Sequence, residues 1–247
     1  MYRYWLMFRS ALFWFWQIAV TLLMGAPVII GGLISFRIGY AFAIIWNRLN
    51  LYGLRWICGI KWQVDGRENI PDKPCIVMSK HQSTWETYFL PTLFYPAVYV
   101  AKKSLLWIPI FGWALYVLRF IMIDRSSGRS AIQQICEQAP VRLSQGRWIV
   151  VFPEGTRRPV GSEANYRIGG AVVANELGCD VVPIALNAGE YWPRMGFIKW
   201  PGVITVSIGP LITSEDKSPA QILAETEHWI EARVAELSGS NPALQGQ

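Results

Sequence analysis

The chain has 247 residues, a formal net charge of +6, 52% hydrophobic residues and only 16% charged ones. That is more apolar and less charged than an ordinary soluble domain, so part of the chain is expected to meet lipid. The basic residues form neither a long Lys/Arg run nor a basic helix, which argues against nucleic acid and leaves anionic lipid or a phosphorylated small molecule.

The N-terminal region comes first. No residue from Ser10 to Phe36 is charged, a run long enough to cross a bilayer. Gly25-Ala26-Pro27 interrupts it, which predicts a kink or turn there, and a second apolar stretch runs from Ile38 to Trp46. Arg3 and Arg9 precede the region, and Arg48, Arg55 and Lys61 follow it. Basic residues on both sides predict a hairpin or re-entrant pair over residues 1–56 with both ends cytoplasmic. One straight span is the alternative. A cleaved signal peptide fits poorly, because the region is long, rich in Trp and Phe, and has no small-residue cleavage site.

From about residue 60 the pattern changes to short apolar runs separated by turn signals. Candidate strands are 62–64, 75–79, 97–101, 120–124, 148–152, 181–186 and 203–208. Candidate helices between them include 84–94, 129–144 and 169–177. The alternation predicts an α/β domain over 57–247, with a mixed, largely parallel sheet flanked by helices and the hydrophobic helical anchor in front. At the end of the chain, Ser218 as N-cap, Pro219 at the first helical position and Gln221 predict a capped helix. Ile222, Trp229, Ile230, Val234 and Leu237 approximate its apolar stripe.

Little in the sequence points to metal or redox chemistry. Cys58, Cys75, Cys136 and Cys179 contain no C-x-x-C pair, and their spacing suits neither zinc nor a disulfide framework. His81 and His228 are the two histidines, too few for a histidine-rich metal site. There is no G-x-S-x-G, P-loop or H-E-x-x-H.

His81 follows the apolar run Cys75–Ser79, at the strand end where open α/β sheets place ligands. Glu86 lies five residues on. On one regular helix the two would stand roughly 140° apart, so a dyad requires a loop-to-helix turn near Ser83. A carboxylate there fixes the histidine tautomer and stabilises the imidazolium formed when the other nitrogen takes a proton. Ser83-x-x-Glu86 equally reads as a capping box. The run 148–152 leads into Pro153-Glu154-Gly155-Thr156-Arg157, in which Gly155 permits a tight turn and Arg157 offers a planar fork for a phosphate. A mutual Glu154–Arg157 pair is the structural alternative. The apolar stretch Leu105–Leu118 reads either as buried core or as a surface that meets acyl chains or the bilayer.

His-x4-acid followed by Phe-Pro-Glu-Gly-Thr-Arg resembles the glycerolipid acyltransferase family. Lys102-Lys103-Ser104-Leu105, Ile108-Pro109, Gly112-Trp113, Phe120–Arg125 and Val182-Pro183-Ile184-Ala185 resemble its weaker blocks. The likeness covers roughly residues 60–210. It implies acyl transfer from acyl-CoA or acyl-carrier protein to a lysolipid, with lysophosphatidic acid as acceptor and phosphatidic acid as product. No bound cofactor is implied. It makes His81 the general base and Glu86 its orienting acid. Glu154, Gly155, Thr156 and Arg157 would shape the acceptor site, with Arg125, Lys102, Lys103 and Arg167 as further phosphate contacts. Two departures stand out: the family usually has Asp where Glu86 stands, and Tyr166-Arg167-Ile168-Gly169 replaces Phe-Lys-x-Gly. The expected location is a membrane, the bacterial inner membrane with the site facing the cytoplasm. Rival readings are another acceptor such as lyso-ornithine lipid, a membrane thioester hydrolase, or a lipid-binding scaffold without catalysis.

Overall fold

The computed structural model describes residues 1–124, 127–163, 165–239 and 241. The chain opens with two long helices, α1 (Tyr2–Ile34) and α2 (Phe36–Gly53), followed by one wide turn over Leu54–Cys58. The Gly25-Ala26-Pro27 stretch does not break α1, contrary to the sequence reading; the chain reverses at Ser35, whose Oγ accepts from the Arg37 N–H. The reason is packing. A side chain on Gly25 would collide with Ile110 Cγ2, and one on Gly32 with Val117 Cγ2 at 2.6 Å. These glycines let the helix lie close against the domain rather than turn the chain.

The domain is a seven-stranded sheet in the order β1-β7-β6-β2-β5-β3-β4. The strands are β1 (Ile60–Asp65), β2 (Ile76–Ser79), β3 (Ala97–Lys102), β4 (Ile121–Ile123), β5 (Trp148–Val151), β6 (Val181–Leu186) and β7 (Gly202–Ile208). Strands β6, β2, β5, β3 and β4 run parallel. Strand β7 reverses against β6 and pairs in parallel with β1 at the edge. The mixed, mostly parallel sheet is the one the alternating pattern predicts.

Residues alternate between the two faces, as strand geometry requires. Val77, Tyr99 and Val150 face one layer, packed with Trp85 and Phe89 of α3 (Trp85–Leu93) and with Phe13 of α1 and Leu51 of α2. Ile76, Met78, Val98, Ile149 and Val151 face the other. That layer holds α5 (Arg129–Ser144), α6 (Gly169–Glu176) and α8 (Pro219–Leu237). Two short helices, α4 (Phe111–Val117) and α7 (Ala188–Tyr191), complete the fold. The capping box of Ser218 and Gln221 is present at the start of α8.

Candidate active site

Strands β2 and β5 are neighbours in parallel register, Met78 opposite Val151. The loops after them therefore emerge side by side, which brings two distant sequence motifs into one place. The chain leaves β2 for β3 on one side and leaves β5 for β6 on the other, so the two strands flank a switch point of the sheet, where α/β folds bind ligands.

Helix α3 starts at Trp85, so His81 lies in the loop before it and Glu86 in its first turn. His81 Nδ1 is 2.9 Å from Glu86 Oε1. The same oxygen accepts the backbone N–H groups of Gln82 at 2.8 Å and Ser83 at 2.7 Å. An oxygen that accepts two N–H bonds is an acceptor for the ring too, so Nδ1 carries the proton and Nε2 is left with its lone pair. Glu86 is fully buried. The capping box is half formed: Glu86 bonds back to the Ser83 N–H, but the Ser83 hydroxyl accepts from the Trp85 N–H at 3.2 Å rather than from that of Glu86, and the same carboxylate orients the imidazole. The His81 side chain keeps 15% of its surface exposed. The ring stacks on Phe152 at 3.9 Å and 12°, which fixes its plane, and Phe152 stacks in turn on Tyr99.

Glu154 is turned inward. Its Oε1 accepts the His81 N–H at 2.8 Å, and its Oε2 lies 3.3 Å from Lys80 Nζ. Lys80, only 2% exposed, also reaches Glu231 Oε1 of α8 at 2.8 Å, and Tyr166 Oη donates to that oxygen at 2.7 Å. Burial pushes the Glu154 carboxyl above its usual range, and Lys80 and the His81 N–H oppose that shift. The Glu154–Arg157 pair considered from sequence does not form; Arg157 Nη1 donates instead to Thr84 Oγ1 at 2.7 Å.

Gly155 has φ +69, and Arg167 Nε would lie 3.1 Å from a Cβ there, so the loop needs glycine and places Arg167 over it. Thr156 and Arg167 are exposed and Arg157 is half-buried beside them. Lys102 and Lys103 are exposed where β3 passes into a 3-10 turn, and no hydrogen bond or ion pair ties them to His81 among the described residues. Arg125 lies outside the described residues. The stretch Leu105–Leu118 is largely surface: Trp107 is 87% exposed, Trp113 54% and Tyr116 62%. His228 is exposed, as its place on the polar side of α8 predicts.

Sequence reasoning missed Lys80, Phe152, Tyr166 and Glu231. Lys80 had a signal, since a lysine directly after a short, largely apolar strand needs a partner. Glu231 had none, because 151 positions separate the pair. A cavity of about 500 Å³ is lined by Gln82, Arg158, Gly189 and Asn241 among others but not by His81. We locate the chemistry at the dyad, where the histidine nitrogen is oriented and reachable, rather than in that cavity.

The pattern that defines the Acyltransferase family matches residues 61–187. A 1-acyl-sn-glycerol-3-phosphate acyltransferase of Pseudomonas aeruginosa is 42% identical over 235 residues, 93% of this chain and 91% of the relative. Another, from Chlamydomonas reinhardtii, is 31% identical over 72% of this chain and 54% of its own length. The crystal structure of the 1-acyl-sn-glycerophosphate acyltransferase of Thermotoga maritima shares the fold, with a TM-score of 0.80 and 21% identity, covering 97% of this chain and 98% of that one. The chain belongs to the acyltransferase family.

Proposed function

We propose that the protein transfers a fatty acyl group from a thioester to the sn-2 hydroxyl of 1-acylglycerol 3-phosphate, giving phosphatidic acid for phospholipid synthesis. The observation that carries this is the oriented His81: Nδ1 held by Glu86 at 2.9 Å, the ring plane held by Phe152, and Nε2 left to accept a proton. The names of the relatives support the acceptor. The donor is acyl-CoA or acyl-carrier protein.

His81 Nε2 takes the proton of the acceptor hydroxyl as its oxygen attacks the thioester carbonyl carbon. A C–O bond forms, the C–S bond breaks, and the imidazolium returns the proton to the leaving thiolate. The products are an ester and a thiol, with no acyl-enzyme. In this scheme Arg157 and Arg167, on the loop after β5, serve the acceptor phosphate, with Lys102, Lys103 and Arg125 as further contacts. Glu154 acts through the His81 backbone, and Gly155 and Thr156 shape the loop.

Helix α1 supports a membrane location. Its outward side chains Phe15, Leu22 and Leu33 are 72%, 61% and 72% exposed. Its inner side meets the domain at both ends, through Phe13 on Trp192 and Gly32 against Val117. A helix held along the domain in this way sinks its outer face into one leaflet rather than crossing the bilayer. We place it on the cytoplasmic face of a bacterial inner membrane.

The test is thiol release from a long-chain acyl-thioester by the full chain in neutral detergent, with and without lysophosphatidic acid, for the wild type and His81→Ala. Release that needs the acceptor and disappears in the variant supports the scheme. Release without acceptor makes the protein a hydrolase, and undiminished turnover by His81→Ala removes the base.

A further inference from the structure

Three arginines meet at the amino end of the sheet, the end away from His81. Arg147 immediately precedes β5, Arg119 lies between α4 and β4, and Arg142 is in the last turn of α5. The backbone ties them together: Arg142 Nε donates to the Arg119 carbonyl at 2.8 Å, and the Arg147 N–H donates to the Arg142 carbonyl at 3.0 Å. Arg147 is 7% exposed, with its guanidinium 3.5 Å from the Phe36 ring centroid. Its Nη1 is buried with no hydrogen-bond partner among the described residues.

No carboxylate pairs with any of the three among the described residues. Burial, then the positive fields of Arg142 and Arg119, push the Arg147 pKa down to about 10. The carbonyl end of α5 supplies only about half a negative charge, too little for three guanidiniums. A buried, unpaired cation is costly unless something else brings the counter-charge.

The surroundings say what that is. Leu33 and Ile34, at the end of α1, are each 72% exposed. Tyr116 is 62% exposed and lies under the Arg119 guanidinium at 5.9 Å. Gly32 of the same helix end packs against Val117, two residues before Arg119. Guanidiniums rimmed by exposed apolar and aromatic side chains match the boundary between headgroups and acyl chains.

We infer that Arg119, Arg142 and Arg147 form a second lipid site, which holds the phosphate of an anionic bilayer phospholipid and is separate from the acceptor site at His81. Arg147 supplies an inner contact fixed by Phe36, and Arg119 and Arg142 close on the headgroup from outside. The assignment rests on the membrane reading of α1 but not on the chemistry given to His81.

The test uses the full chain in phosphatidylcholine-like neutral micelles, titrated with short-chain phosphatidylglycerol, short-chain phosphatidylcholine or inorganic phosphate. The melting temperature reads binding, because a ligand of the folded state raises it. Phosphatidylglycerol is expected to raise it well beyond phosphatidylcholine. Arg119→Gln with Arg142→Gln should weaken the phosphatidylglycerol response about 25-fold, about fivefold for each arginine. Thioester turnover in neutral micelles should stay unchanged, and an equal loss of charge at Lys73→Gln with Lys217→Gln should leave the response intact. Equal shifts with both lipids, or an unaltered response in the arginine variant, overturn the site. Inorganic phosphate giving the whole shift overturns the lipid assignment. A parallel flotation with neutral phosphatidylcholine vesicles checks the membrane reading of α1: a wild type that does not float defeats that reading and the lipid site with it, whatever happens at His81.

Discussion

The two ends of the sheet handle buried charge in opposite ways. At the carboxyl end, Lys80 sits between Glu154 and Glu231, and Glu86 accepts three N–H groups on one oxygen. At the amino end, Arg147 is buried against a ring with one N–H group unanswered. The opposite-charge network at the carboxyl end rigidifies what it surrounds, here the backbone and tautomer of His81, although Glu86 Oε2 is itself buried without a hydrogen-bond partner among the described residues. A cluster of like charges with no carboxylate beside it retains an attraction for an anion. The reactive end is thus preorganised by internal partners, whereas the opposite end is completed from outside.

The largest effect expected is on turnover. His81→Ala removes the proton acceptor that Glu86 orients, and kcat should fall by about 10²- to 10⁴-fold. Its melting temperature should fall only moderately: the stacking on Phe152 is lost, but Glu86 keeps the Gln82 and Ser83 N–H groups as partners. Steady-state kinetics beside a thermal melt separates the two, and a large loss of stability would mean that the ring belongs to the core.

Next is Lys80→Met. Removing one member of a buried ion network strands the others, which costs about 3–5 kcal/mol. Here the stranded group is Glu154, already raised by burial, and it holds the His81 N–H. The variant should therefore lose stability and kcat together with KM little changed. Adding Glu154→Gln should restore much of the stability, because the stranded charge is gone. Denaturant midpoints of the single and double variants check this; no recovery would mean that Lys80 stabilises by packing.

The strand alternation and the two motifs were legible because each is local: period-two apolar runs, a capped helix start, a glycine turn after a strand. Their meeting follows from β2 and β5 being neighbours, which loop-to-helix alternation predicts only in outline. What stayed hidden was non-local. The Lys80–Glu231 pair joins a strand end to the C-terminal helix, and no spacing encodes it. Gly25-Ala26-Pro27 reads as a turn when the partner of the glycine is unknown; Ile110 shows it to be a close packing contact. Leu105–Leu118 left core and surface equally open, since apolar composition does not say which solvent an apolar residue meets.

Lys199 lies between the two extremes and gives a smaller, pH-dependent effect. It is 1% exposed and has no carboxylate partner among the described residues, but its ammonium donates to the Phe197 carbonyl at 2.9 Å and lies 4.0 Å from the Trp14 ring and 4.8 Å from that of Trp192. Burial pushes its pKa from 10.5 down to about 8. In that window the unfolded chain binds the proton that the folded chain has released, so stability should rise with pH from about 8 to 10.5. The penalty is fully present below pH 8. Lys199→Met should lack this rise, with a difference of about 1.4 kcal/mol for each unit of separation. Parallel pH profiles would mean that the rings hold the ammonium charged and offset its burial completely.

The smallest effect bears most directly on the contrast between the ends. Arg119→Gln, in neutral micelles, removes one of three like charges and one exposed contact with Tyr116. The backbone carbonyl that accepts from Arg142 remains. The two changes oppose each other, so the net shift should stay within about half a kcal/mol, with the melting temperature equal to or above that of the wild type. With phosphatidylglycerol present the order should reverse, because the wild type gains a ligand that the variant holds less tightly. A charge removed from the His81 end is a loss under both conditions; one removed from the Arg147 end is a loss only when the lipid is there. Should Arg119→Gln destabilise in neutral micelles as strongly as Lys80→Met, the guanidinium already has an internal partner and the two ends do not differ.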